Sequence, residues 1–237
     1  MKNFLRCIMT AIAVISAIFS TNAAENVIKK NLNVSSFNEI EASSAINVVY
    51  TQTNGDFSAT VEMSKNDENY FIFEQKGLKI IAKRKSKRHN WNTKSITLYI
   101  SAPYLVDIEL SGASTFKADK INQLNKNLDI DCSGASSFKA NKVNANNFSI
   151  DCSGASSASV SVNAKKVEVD CSGASKVAIS GTANLAEYDA SGASTISAAD
   201  LKANKGEVEA SGASNITCSI QNLYSRESSG ASKITNK

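Results

Sequence analysis

The sequence predicts an all-β protein: a single-stranded, parallel, right-handed β-helix of coils of 19–20 residues, preceded by a β-hairpin-rich insertion or cap. Three observations predict it. Ser-Gly-Ala-Ser begins at Ser111, Ser133, Ser153, Ser172, Ser191, Ser211 and Ser229, with offsets of 22, 20, 19, 19, 20 and 18 residues. Apolar residues upstream of each copy alternate with polar ones, as in Leu128, Ile130, Cys132 and Val167, Val169, Cys171, the period of a strand with one buried face. No helical period separates the copies, and so short a spacing cannot hold a strand–helix–strand crossover. One coil cannot bury its apolar face alone, so stacking of coils about 4.8 Å apart must supply the core.

The glycine marks a corner. A residue without Cβ takes the left-handed conformation of a sharp turn, or lets successive coils approach closely. The flanking serines suit local backbone hydrogen bonds at such a corner. Two residues before each copy stands an acid: Glu109, Asp131, Asp151, Asp170, Asp189, Glu209 and Glu227. These fall on the solvent-facing parity and stack into a column. Carboxylates about 4.8 Å apart repel by only about 0.9 kcal/mol in bulk water, and cation contact along the column is one use for it.

Between acid and corner lie Leu110, Cys132, Cys152, Cys171, Ala190, Ala210 and Ser228. This inward position wants a small side chain, which a free cysteine supplies. A buried thiol ladder is the favoured reading; a vertical disulfide between adjacent coils is the alternative, since the coil spacing lies within disulfide range. Cys218 is off this column and expected to be free.

Residues 24–105 are β-rich without the repeat, and residues 106–237 carry it. Strands are expected at Ile46–Thr51, Phe57–Met63, Tyr70–Glu74, Leu78–Ala82 and Ile96–Ser101, with turns at Gly55 and Gly77. Glu41-Ala42-Ser43-Ser44-Ala45-Ile46 reads like Glu209-Ala210-Ser211-Gly212-Ala213-Ser214-Asn215-Ile216 with a shortened corner. Residues 37–50 are therefore read as a degenerate first coil, and the hairpins after it as an insertion or cap over an open edge.

Residues 1–23 read as a secretory signal peptide. Lys2 and Arg6 precede an apolar stretch, Ile8–Phe19, too short to span a bilayer comfortably, and Ala23 or Ala24 offers the cleavage site. An uncleaved anchor is the alternative. Cys7 precedes the apolar stretch, so it is not placed to accept a lipid. Without the leader the formal charge falls from +4 to +2, a balance that implies no nucleic-acid partner. The protein is expected to be exported, to the periplasm, the outer-membrane surface or the medium, and not to be an integral membrane protein.

Lys83-Arg84-Lys85-Ser86-Lys87-Arg88-His89-Asn90-Trp91 is the one dense charge run. A solvated hairpin loop is the plain reading. As a ligand site, Lys83, Arg84, Lys85, Lys87 and Arg88 would supply charge to an anionic partner and Trp91 a stacking face.

The segments Phe37-Asn38-Glu39-Ile40, Leu78-Lys79-Ile80, Pro103-Tyr104-Leu105 and Leu110-Ser111-Gly112-Ala113-Ser114, in this order after a signal peptide, resemble the autotransporter-adhesin head, or GIN-domain, family over about residues 34–235. Ala45-Ile46-Asn47 stands where the family would have Gly-Ile-Asn. The resemblance implies a β-helical, exported protein of a Gram-negative envelope and an adhesive role; it brings no catalytic residues.

Chemistry is expected to be absent. The acids are periodic, as structural positions are. With His89 the only histidine, neither a histidine metal cluster nor a Ser/His/Asp set can be assembled, and neither a calcium-binding nonapeptide nor an EF-hand loop occurs. No metal or cofactor is implied. Irregular threonines exclude a flat ice-binding face. The expected function is that of a non-catalytic envelope protein binding a surface glycan or protein and self-associating through its open coil edge; the alternatives are a polysaccharide-active enzyme using the acid column and a purely structural envelope component.

Overall fold

The computed structural model describes residues 26–85 and 95–237. The signal peptide expected at 1–23, and Lys87, Arg88, His89 and Trp91 of the basic run, lie outside the described residues. The strands form one continuous 17-stranded sheet wound into a β-solenoid. In chain order they are β1 (Val27–Leu32), β2 (Glu39–Ser43), β3 (Ile46–Gln52), β4 (Ser58–Ser64), β5 (Phe71–Lys76), β6 (Lys79–Arg84), β7 (Ile96–Ala102), β8 (Asp107–Leu110), β9 (Thr115–Gln123), β10 (Leu128–Cys132), β11 (Ser137–Ala145), β12 (Asn147–Cys152), β13 (Ser157–Cys171), β14 (Lys176–Ala190), β15 (Thr195–Ala210), β16 (Asn215–Ser228) and β17 (Lys233–Asn236).

Two walls meet at the Ser-Gly-Ala-Ser corners. Before the corner, β2, β8, β10, β12 and the C-terminal parts of β13 to β16 stack in parallel register. After it, β3, β9, β11, the N-terminal parts of β13 to β16 and finally β17 do the same. Beyond β2 and β3 the pairing changes character. β6 adds to β2 in parallel and carries β5 antiparallel, while β7 adds to β3 in parallel and carries β4 and then β1 antiparallel. The hairpins thus cover the first rung, shielding edges that would otherwise template pairing with another chain.

The corner glycines explain the near-invariance of the motif. At Gly154 φ is +70°, and a Cβ there would stand 2.8 Å from the Gly134 carbonyl oxygen. That oxygen also accepts a 2.7 Å hydrogen bond from the Ala155 N–H, so conformation and close approach both require glycine. The last serine of the motif is buried in every copy but the final one, and at three corners it stitches coils together. Ser136 Oγ donates to the Leu110 carbonyl (3.2 Å), Ser194 Oγ to that of Cys171 (3.1 Å) and Ser214 Oγ to that of Ala190 (2.9 Å).

Inward side chains form columns along the axis. Leu110, Cys132, Cys152, Cys171, Ala190 and Ala210 are in register and buried, and the cysteines are free thiols. Burial pushes the Cys171 thiol up to about 12, so these cysteines pack as small apolar groups. Past the corner, Phe116 stacks on Phe138 with centroids 5.3 Å apart and on Tyr50 at 6.1 Å. Outside, Asn144 donates to Asn122 (2.9 Å), Asn163 to Asn144 (3.1 Å) and Thr182 to Asn163 (2.9 Å), an amide ladder over four rungs.

The coils differ in length at one further bend, in β11 to β15. The step from Ala140 to Val143 in β11 faces that from Val160 to Val162 in β13, and the step from Ser197 to Asp200 in β15 faces that from Ala178 to Ser180 in β14. β11 and β15 therefore each bulge by one residue against the two coils between them.

Candidate functional site

Alternation along a half-buried strand puts every second residue before the corner into solvent. The expected acid column forms: Glu109, Asp131, Asp151, Asp170, Asp189, Glu209 and Glu227 are consecutive register partners, and Glu41 extends the column at the capped end. A second column runs beside it, two residues upstream, which sequence reasoning missed. It holds Glu39, Asp107, Asp129, Glu168, Glu187 and Glu207, interrupted by Ser149 and ended by Ser225. One wall thus carries 14 of the 22 acidic residues of the chain.

Few cations answer them. Lys79, on the neighbouring β6, reaches Glu109 (2.5 Å), Asp107 (3.6 Å) and Glu39 (3.8 Å). Lys166 reaches Glu187 (2.7 Å) and Glu168 (2.9 Å). Asp170 sits at the densest part, where partial burial and then the fields of Asp189, Glu168, Asp151 and Glu187 raise its carboxyl to about 6. Partial burial also leads the upward shifts of Asp107, Asp129 and Asp131. A shallow depression of about 270 Å³, lined by Asp170, Glu187, Asp189, Glu207 and Glu209 among others, lies over this region. Chemically the wall can attract cations and cationic surfaces, and it can hold a proton near neutrality. Among the described residues no group of three or more His, Cys, Asp or Glu side chains is arranged to hold a metal ion.

The basic run is only partly described. Lys83 and Arg84 end β6, and Lys85 follows it exposed. Arg84 Nη2 lies 3.8 Å from Oδ2 of Asp67, a carboxylate only 2% exposed in the 3₁₀ turn Lys65–Tyr70. Arg84 therefore has a structural task inside the cap, a contact between segments that nothing in the local sequence signals. Among the described residues no helix is long and apolar enough to cross a membrane.

With this geometry in place, the chain can be compared with known proteins. The family model "Putative auto-transporter adhesin, head GIN domain" matches residues 36–237. The chain belongs to this family. The GIN-domain match begins just before β2 and takes in the solenoid, the cap strands β4 to β7 and every acid of both columns, but not β1. Similar solved structures include a putative adhesin from Parabacteroides distasonis (18% identity, 90% of this chain and 95% of that one, TM-score 0.71). Others are putative adhesins from Parabacteroides merdae (14%, 91% and 97%, 0.74) and Bacteroides fragilis (20%, 90% and 98%, 0.67). At these identities the likeness shows a shared fold for this GIN-domain chain. No curated protein matches it.

Proposed function

We propose that this GIN-domain protein is a non-catalytic, exported adhesive solenoid of the Gram-negative envelope that holds a surface glycan or protein along its lateral faces. The carrying observation is the shape and chemistry of those faces. In-register columns of like side chains run the length of the coil stack, with shallow depressions between them, which suits an extended partner held by many weak contacts. Family membership and the adhesin-named structural relatives support the same reading. Among the described residues no strand pairs with the outer side of Asn222–Ser228, and that edge, with Leu223 half-buried and Tyr224 exposed, is the place for self-association.

The test pairs binding with turnover. Glycan- and protein-array binding by the purified protein, with no product released from any bound polysaccharide, is the expected result. One observation favours a second reading, a polysaccharide-active enzyme: the Asp170 carboxyl at about 6 lies where general acids operate. Product release that disappears in the double variant Asp151→Asn, Asp170→Asn would establish the enzyme and overturn the adhesin.

A further inference from the structure

The unequal coil lengths have a consequence on the wall opposite in charge to the acidic one. The coils with corners at Gly154 and Gly173 run 19 residues to the next corner, whereas those with corners at Gly134 and Gly192 run 20. The extra residues sit at Asn141-Lys142 and Ala198-Ala199. Two short coils are thus recessed between two long ones. The recess is a trough of about 280 Å³ with Ser159, Ser161 and Ser180 on its floor, Lys139 and Asn141 on one bank and Asp200 on the other. Gly181, at φ +117°, borders it. Any Cβ there would overlap the Val162 carbonyl, so this glycine lets the two recessed coils close up.

The trough opens toward the capped end into an adjoining depression of about 400 Å³ that shares Lys139 and Asn141 and adds Lys117 and Asp119. Here Lys117 pairs in register with Lys139, and Lys120 with Lys142. Like charges directly opposite across strands destabilise a sheet. None of the four lysines makes an ion pair among the described residues, and the one carboxylate among them, Asp119, accepts a hydrogen bond from Asn141 (2.9 Å). Four exposed cations stacked in register make a face that a polyanion would neutralise at several points at once. The three floor hydroxyls and Asp200 make no hydrogen bond to other protein groups among the described residues, so their polar atoms are open to a ligand.

We propose that this trough is a binding site for an acidic oligosaccharide. It rests on the adhesive reading above and names its site and ligand class. The anionic groups lie over Lys117 and Lys139, and the sugar hydroxyls meet Ser159, Ser161, Ser180, Asn141 and Asp200. From the Lys117 coil to the Asp200 coil is four rises, about 19 Å, the length of a short oligosaccharide rather than one sugar. A peptide is a poorer occupant, because these strands are paired on both sides and offer no edge for strand addition. A nucleic acid would want exposed aromatic platforms, and the trough has none.

The test is titration calorimetry of the protein with tetragalacturonate, a heparin-derived tetrasaccharide and neutral maltotetraose. At least one acidic ligand is expected to bind, and maltotetraose to bind far more weakly. Lys139→Glu and the trough-filling Ser161→Trp should each weaken binding about tenfold or more, while Lys76→Glu, exposed in β5 of the cap and outside the trough, leaves it unchanged. Lys139→Glu, on an exposed side chain, retains the fold and keeps the test decisive if Ser161→Trp does not. Absence of binding by both acidic ligands, equal binding of maltotetraose, or undiminished binding by Lys139→Glu would each overturn the proposal. Failure here beside positive array binding would remove the trough and leave adhesion standing; failure of both would remove adhesion itself.

Discussion

A Cβ on Gly173 would lie 2.8 Å from the carbonyl oxygen of Gly154, the same oxygen that accepts the 2.7 Å hydrogen bond from the Ala174 N–H. Corner and ladder therefore compete for one space, and only hydrogen fits. Gly173→Ala should cost roughly 2 kcal/mol or more, from left-handed strain plus displaced coils. Gly55→Ala, with nothing within 4 Å, should be nearly neutral. Urea titration of both variants checks the contrast.

Asp170 gives the acidic wall a pH signature. Its carboxyl is raised above the ordinary 3.8 to about 6 in the folded protein, so between those values the folded state binds more protons than the unfolded one. Stability must then fall as pH rises from about 4 to 6 and recover as pH is lowered through that window. The raised carboxyls of Asp107, Asp129 and Asp131 act in the same direction. Asp170→Asn should stabilise the protein at pH 7 by at most about 1 kcal/mol, given solvent screening, and flatten the dependence. Thermal melts of both proteins at pH 4.5 and 7 measure it; a wild-type curve that rises steadily with pH would contradict it.

The Tyr50–Phe116–Phe138 stack anchors the second wall, with Phe116 and Phe138 fully buried. Phe138→Ala should cost about 3–5 kcal/mol. Replacing Cys171, whose column continues as Ala190 and Ala210, by Ala should cost only about 1 kcal/mol. Denaturant midpoints would rank the two.

The buried thiols should be silent in the native state. Cys132, Cys152, Cys171 and Cys218 are buried and free, and Cys171 is protonated up to about 12. An aromatic disulfide reagent should modify all four only as fast as the protein opens, and at once in denaturant. Rapid labelling at pH 7 without denaturant would show that the column is accessible.

Self-association through Asn222–Ser228 is expected at micromolar concentration, and the double variant Leu223→Lys, Tyr224→Lys should abolish it, since charge on an edge strand opposes pairing. Light scattering that finds a strict monomer for the unmodified chain would overturn this expectation.

The solenoid was legible because its physics is local and repeated. Period-two alternation, a small inward residue at Cys132 and Cys152, and a glycine at every corner state the same coil seven times over. The acid column was legible for the same reason. The second column was not, because Ser149 and Ser225 interrupt it and Asp129, Glu168 and Glu187 stand farther from the motif that drew attention. The Arg84–Asp67 contact joins residues 17 positions apart, beyond any periodic signal. The bulges at Asn141-Lys142 and Ala198-Ala199 did leave a trace, two 19-residue spacings between two of 20, but length alone does not say where around the coil the extra residue is accommodated.

Those two equal spacings carry an evolutionary corollary. Gly134, Gly154 and Gly173 present interchangeable docking surfaces to one another, so excising the 19 residues from Gly154 to Ser172 would bring Gly134 against Gly173, Asp151 against Asp189 and Cys152 against Ala190. A gene for such a rod can gain or lose whole coils by in-frame recombination, shortening or lengthening its reach in steps of about 4.8 Å while leaving both ends intact.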